Sequence, residues 1–513
     1  MHASVRSIAL SGIDAFEITI EASIAGGLPG VYVVGLPDTA VREARERVRS
    51  ALRAARLTLP PSRVVVNLAP ADVRKEGPAF DLPIALALLA AQGRVPDGRL
   101  RDAAIIGELG LDGCVRPVRG VLAVALAARD AGCLVLVVPL DQADEARSVS
   151  GLQVVAVGSL LEAVAWARGA TTVEPARVAS MVAPRGSGAA LDLRDVRGQR
   201  VAKRAMEVAA VGRHHVLLIG PPGSGKTMLA ERLPGLLPPL SHTDALEVAR
   251  LHALAGTSRH PRDLSAPWRA PHHSVSLPGL VGTPTSLGEL SLAHGGVLFM
   301  DEWPEFERRA LEALREPLEA RVLELVRARA RRTLPADVQL VAAMNPCPCG
   351  LAGDPRRSCE CTPATRRRYL ARVSGPLLDR MAIRVVVAAP GGTPVTADVA
   401  AAGRRSAPVA AAEPTSVVAR RVASARERSL RRQGHPNGAL SGASLARHAA
   451  LCQAGSALLQ RARADGRLGE RGIDDVTRVA RSLADLAGRT AVAVDDVAEA
   501  LAFRAELRTE DAP

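Results

Sequence analysis

Aromatic side chains are nearly missing from this chain: Trp, Tyr and Phe together are 2 % of its 513 residues. Stacking platforms for nucleic-acid bases are built from such rings, so recognition of that kind is argued against. Long apolar runs are missing too. The N-terminus, Met1-His2-Ala3-Ser4-Val5-Arg6, leads into no apolar signal core. The longest apolar runs, such as Pro83 to Ala91, are far too short to span a membrane. Cysteines number seven at uneven spacing, which suits a reducing cytoplasm rather than a disulfide framework. Positive charge is plentiful: Lys and Arg number 66 against 53 Asp and Glu, a net +13 carried almost wholly by arginine. That balance permits a polyanionic partner such as nucleic acid. An Arg- and Ala-rich composition also follows from a GC-rich genome, so the charge alone decides nothing. The length is enough for two to four domains.

The most informative segment is Gly220-Pro221-Pro222-Gly223-Ser224-Gly225-Lys226-Thr227, which fits the phosphate-loop pattern G-x-x-x-x-G-K-[ST]. Its surroundings fit as well. His215 to Ile219 predicts a buried strand entering the loop, and Met228 to Leu233 the helix leaving it. Strand, turn and helix start together offer backbone N–H groups and a positive dipole end to an anion. Lys226 is placed to reach the β- and γ-phosphates of a nucleoside triphosphate, and the Thr227 hydroxyl to ligate Mg²⁺.

About 75 residues further on, as a nucleotide fold expects, Gly296 to Met300 predicts an apolar strand ending in Asp301-Glu302. Asp301 suits the outer shell of Mg²⁺, and Glu302 suits polarising an attacking water. A third strand, Val338 to Met344, ends at Asn345, whose amide can sense the γ-phosphate.

Two stretches, 171–190 and 391–415, are rich in Ala, Pro, Gly, Ser and Thr without helical or strand period, and are expected to be linkers. They divide the chain into regions 1–168, 191–390 and 416–508. In the first, strands at Val31–Val34, Val64–Leu68 and Leu134–Val138 alternate with helices at Thr39–Ala55, Pro83–Ala91 and Val121–Ala131. The last shows helical periods broken by glycines.

Further segments carry a resemblance: Gly35-Leu36-Pro37-Asp38, Asn67-Leu68-Ala69-Pro70-Ala71-Asp72, Asp81-Leu82-Pro83-Ile84-Ala85, Pro271-His272-His273-Ser274, Ser291-Leu292-Ala293-His294, Glu305-Phe306-Glu307-Arg308-Arg309 and Ser374-Gly375-Pro376-Leu377-Leu378-Asp379-Arg380. With these the central region resembles a magnesium-chelatase-like AAA+ ATPase, and nearly the whole chain resembles the YifB/ComM family. The resemblance implies an α/β protein with an S5/Lon-protease-like N-terminal domain, a AAA+ core and an all-helical lid. It implies a ring, a homo-hexamer, with each nucleotide between two subunits. Arg380 matches the arginine finger given to a neighbour's γ-phosphate; Ala382 stands where the family shows an acid. Arg471 matches the lid's sensor arginine that closes over the nucleotide, with Arg478 as the fallback. Val196 and Gln199 match the segment beside the adenine.

Residues 1 to about 168 resemble the proteolytic domain of Lon and its relative in RadA. Lon-type chemistry needs a serine nucleophile and a lysine base. In the matching register this chain has Ala79 and Leu122, which can neither attack nor deprotonate. A scaffold that stacks on the ring and binds DNA is the expectation, with Arg63, Arg74 and Lys75 as candidate contacts or, otherwise, solvated surface charge.

Two more features stand between Glu302 and the helical region. The run Arg321 to Thr333 alternates aliphatic and charged residues and predicts a β-hairpin. In the resembled group it points into the ring's channel, where Arg327, Arg329 and Arg331 would meet a DNA backbone without reading sequence. A solvated hairpin face gives the same alternation. Cys347, Cys349, Cys359 and Cys361 form two C-x-C pairs, nine residues apart, that can close a tetrahedral structural Zn²⁺ site; redox thiols or inert cysteines are the alternatives. His272 and His273, being adjacent, are expected to point apart.

The function expected from these readings is Mg²⁺-dependent ATP hydrolysis by a cytoplasmic ring, used for branch migration on DNA during recombination in natural transformation. A chelatase-type motor subunit, an ATPase that remodels a protein partner and a non-enzymatic scaffold are the other classes.

Overall fold

The computed structural model describes residues 2–11, 14–36, 38–71, 75, 77–170, 191–257, 259–283, 285–327, 330–352, 357–388, 413–466 and 468–504. The linker 171–190 lies outside the described residues, as does all of 391–415 except 413–415, and Thr415 already begins a helix. The chain forms two compact units: Met1–Arg185 with His242–Asp263 and Pro284–Leu287, and Gly186–Ser241 with Leu264–Thr283 and Gly288–Pro513.

The first unit is built on a seven-stranded mixed sheet. Its strands run, edge to edge, Gly30–Val34, Arg63–Ala69, Asp14–Ala25, His2–Ser11, Ala103–Ile105, Val135–Pro139 and Gln153–Val157. Both faces are apolar, because neighbours along a strand point opposite ways. Val137, Val155 and Val157 enter one core; Leu136, Val138 and Ala156 enter the other. The long antiparallel pair His2–Ser11 and Asp14–Ala25 was not anticipated. Its first strand buries Ala3, Val5, Ser7 and Ala9, and small or polar residues in three of those four places mute the hydrophobic alternation.

The Asp81-Leu82-Pro83 segment opens a helix, Asp81–Ala91, that is buried nearly all round. The Asp81 carboxylate is fully buried and gripped by Arg47 through Nε at 2.6 Å and Nη2 at 3.0 Å, and it accepts the Leu109 N–H at 3.2 Å. Burial pushes Asp81 above the usual carboxylate range despite the guanidinium. Leu122 is buried in the other core, and Ala79 packs against the same cluster.

One expectation fails in this unit. Lys75 is not surface charge: it is fully buried, and its ammonium donates to the Pro70 carbonyl. Arg74 lies outside the described residues, while Arg63 is exposed over the Tyr32 ring at 5.4 Å. The segment His242–Asp263, encoded inside the stretch expected to form the ATPase core, packs with this unit. Its helix His242–Leu254 brings Leu246 and Ala249 into the core of the helix Val121–Asp130, and Arg119 donates to the Leu254 carbonyl.

The second unit has a five-stranded parallel sheet in the order Trp268–Arg269, Val297–Met300, Gln339–Met344, Val216–Ile219 and Ile383–Val386. The short, almost wholly apolar central strands suit a sheet covered on both faces. Five helices follow: Thr415–Gln433, Gly442–His448, Gln453–Ala464, Glu470–Leu486 and Val494–Ala502. Val476, Val479, Ala480 and Leu483 of the fourth share one core with Val208 and Val211 ahead of the phosphate loop. No helix among the described residues is long and apolar enough to cross a membrane.

Candidate nucleotide-binding site

In open α/β sheets ligands bind beyond the carboxyl ends of the strands. Three neighbouring strands here end in the groups singled out above: Val216–Ile219 in the phosphate loop, Gln339–Met344 in Asn345, and Val297–Met300 in Asp301-Glu302. The loop passes into the helix Lys226–Glu231 through Gly223 and Gly225, at φ +74° and +92°, a left-handed backbone that favours glycine. Ser224 is buried at this turn.

Lys226 is largely buried, and its Nζ donates to the carbonyls of Gly220 (2.7 Å) and Pro221 (2.9 Å) and to Asn345 Oδ1 (3.1 Å). Burial lowers its pKa, opposed by Asp301 and Glu302. The Thr227 hydroxyl donates to Asp301 Oδ2 at 2.8 Å, so the two oxygens that would hold Mg²⁺ already face each other. Gln199 sits at φ +50° and sends its Nε2 to the carbonyls of Ser224 (3.3 Å) and Ala388 (2.7 Å); Val196 is buried nearby in sequence.

Glu302 has a left-handed backbone, φ +51°, unusual for a residue with a side chain. Its N–H donates to Asp301 Oδ1 at 2.9 Å, and its Oε2 lies 3.2 Å from His273 Nδ1. His273 was missed as a neighbour of Glu302, being 29 positions earlier in the chain. The histidine rings do not point apart: their centroids are 4.1 Å from each other, because the segment is a turn rather than a strand or helix.

Arg380 and Arg471 form a second cluster. Both contact one carboxylate oxygen, Glu319 Oε2, at 2.7 and 3.0 Å. Arg471, expected to be the lid's sensor arginine, has Glu319, shared with Arg380, as its described ion-pair partner. Glu319 also supplies the carboxylate that Ala382 cannot. Arg478 is engaged elsewhere, donating to the Leu440 carbonyl at 2.6 Å and to Asp475 at 2.8 Å. Glu312, Arg315 and Glu316 line a cavity of about 480 Å³ with Arg380 and Glu319.

The strands Val322–Arg327 and Ala330–Pro335 form the expected hairpin. Arg329 and the side chains of Arg327 and Arg331 lie outside the described residues. The four cysteine sulfurs converge within 4.8 Å of one another. The Leu351 N–H holds the Cys349 thiol down to about 6, while burial pushes Cys347 up to about 12.

A parallel sheet with a phosphate loop at its centre and a carboxylate pair one strand further out defines a P-loop ATPase fold. The family model described as magnesium chelatase, subunit ChlI, matches residues 192–393; those for subunit ChlI of Mg-chelatase and for the ChlI C-terminal part match 20–142 and 412–504. The chain is 45 % identical over 507 residues to an uncharacterized protein of Mycobacterium tuberculosis, covering 97 % of each. It is 40 % identical over 505 residues to the uncharacterized protein YifB of Escherichia coli, covering 98 % of this chain and 96 % of the other. With the competence protein ComM of Haemophilus influenzae it shares 40 % identity over 514 residues, 99 % of this chain and 98 % of that one. The chain belongs to the YifB/ComM family of magnesium-chelatase-like AAA+ ATPases.

Proposed function

We propose that the protein is a ring-forming, Mg²⁺-dependent ATPase that moves along branched DNA. The observation that carries the ATPase part is the meeting of Lys226, Thr227, Asp301 and Asn345 at the ends of three adjacent strands, with Glu302 next in chain. When ATP binds, its phosphates replace the carbonyl oxygens and the Asn345 amide now held by Lys226. Thr227 and Asp301 would hold Mg²⁺, which would supply charge against the developing anion. Glu302 orients and polarises the attacking water, and Asn345 fixes it toward the γ-phosphate.

Ring formation is favoured by the placing of Arg380. It shares Glu319 with Arg471, and neither has a described contact with the phosphate loop. Both are then offered to a nucleotide held by a second copy, so one chain alone has an incomplete site. Movement on DNA rests on likeness to the competence protein of Haemophilus influenzae and on the arginine-rich hairpin. The S5/Lon-like reading of the first unit is retained as a scaffold without protease chemistry, since Ala79 and Leu122 share an apolar core.

The test is the ATPase rate of the purified protein with no DNA, duplex, single strand and a four-way junction. Stimulation by the junction is expected. A rate indifferent to every DNA at low salt, but raised by a porphyrin-bearing partner, would replace the DNA motor by a chelatase-type one.

A further inference from the structure

The four cysteines sit in the loop that joins Asn345 to the next helix, and two contacts as well as chain proximity tie that segment to the nucleotide site. Cys347 follows Asn345 by two positions and is fully buried. Gly350 turns at φ +78°, and a Cβ there would lie 2.5 Å from Pro222 Cδ, so the loop backbone is pressed against the phosphate loop. The helix Pro363–Leu370 starts directly after Cys361, capped by Thr362, whose hydroxyl accepts the Thr365 N–H at 3.2 Å. That helix carries Tyr369, buried, whose hydroxyl oxygen accepts the Asn345 backbone N–H.

The sulfur geometry suits one tetrahedral cation. Cys347 to Cys349 is 3.3 Å, and Cys359 is 3.5 Å from each of them. Four thiolates at about 2.3 Å from a zinc ion are about 3.8 Å apart, whereas a disulfide needs about 2.05 Å. The Ala352 N–H donates to Cys347 Sγ at 3.3 Å, backing a thiolate that would otherwise be costly to bury. A closed set of four sulfurs has no open position for substrate, so the role is structural.

We propose that Cys347, Cys349, Cys359 and Cys361 hold one thiophilic divalent cation, zinc by its chemistry, and that the clip so closed positions Asn345 and the Pro222 wall of the phosphate loop. The second half of this rests on the nucleotide-site reading given above. Among the described residues the loop is otherwise held by hydrogen bonds and the one glycine contact, so loss of the cation would loosen it. Asn345 and its hydrogen bond to Lys226 then lose their support from both sides.

The experiment measures metal and nucleotide separately on the full chain purified without chelator. Elemental analysis is expected to give about one zinc per chain, and Cys349→Ser, at the exposed ligand, to lower it sharply. Cobalt(II) added to metal-stripped protein is expected to give the thiolate-to-cobalt charge-transfer band of a tetrahedral site, a readout that needs no variant to fold. Affinity for a fluorescent ATP analogue, measured without turnover, is expected to fall about tenfold on stripping and to return with zinc. Metal-free protein with no cobalt band overturns the site. Full metal occupancy with analogue affinity unchanged by stripping overturns the positioning role. Wild-type, zinc-replete protein that does not bind the analogue overturns the nucleotide reading and the positioning role with it, while the metal count still decides the cluster.

Discussion

Replacing Glu302 by Gln should leave ATP bound and stop its hydrolysis. A positioned general base contributes about 10²–10⁴-fold to a rate, so kcat should fall by that factor, about 2.7–5.4 kcal/mol of barrier. Binding should survive because the hydrogen bond of the Glu302 N–H and the ion pair of its carboxylate go to Asp301 and His273, and its effect on Lys226 is only through charge. Glutamine keeps the shape, and its carbonyl oxygen can still face His273. Lys226→Ala should do the opposite. Its Nζ satisfies three acceptors at 2.7, 2.9 and 3.1 Å, and those same donors are the ones the phosphates would take. Two charge-assisted bonds at about 1.5–3 kcal/mol each imply an affinity loss of about 10²–10⁴-fold. Steady-state phosphate release and equilibrium binding of a fluorescent ATP analogue separate the two variants. Glu302→Gln protein that hydrolyses ATP at the normal rate would refute the assignment of the base.

Arg380→Ala should bind ATP normally and fail to hydrolyse it, and mixing it with Lys226→Ala protein should restore part of the turnover; mixed rings with no rescue would place Arg380 outside the reaction. Alanine at Arg327, Arg329 and Arg331 together should weaken binding to every DNA alike and flatten its salt dependence, read by fluorescence anisotropy across a salt series. Burial holds His214 down to about 3 and His215 to about 4, so both stay neutral when folded but take a proton near 6.5 when unfolded. Stability should therefore be flat above pH 6.5 and fall below it, by about 2 kcal/mol per histidine at pH 5; thermal unfolding across pH checks this, and His215→Gln should make the slope shallower.

What could be read in the sequence was what neighbouring residues carry together. The phosphate loop, the Asp301-Glu302 strand and Asn345 each announce themselves by a short run, and their strands lie within one residue of expectation. Contacts closed by the fold were not legible. Glu319 lies 61 positions from Arg380, and nothing local marks it as the carboxylate shared by two arginines. Lys75 looked solvated because its burial depends on the carbonyl of Pro70 and on packing, neither visible in a charged run. The pair His2–Ser11 and Asp14–Ala25 went unseen because alanine and serine fill buried places of its first strand that aliphatic residues would have advertised.

The helix His242–Leu254 has a consequence for how such a protein can be taken apart. It is encoded between the phosphate loop and Asp301, yet Leu246 and Ala249 are part of the core around Val121–Asp130. A truncation beginning near residue 191 would keep that helix and discard its apolar partner, leaving a greasy stripe in water. A truncation ending near 170 would uncover the matching face of Val121–Asp130. Neither half is a detachable cassette. Shuffling or fusing these halves would have to carry the inserted helix along with its host, because the boundary drawn by packing runs through the middle of the gene's ATPase segment.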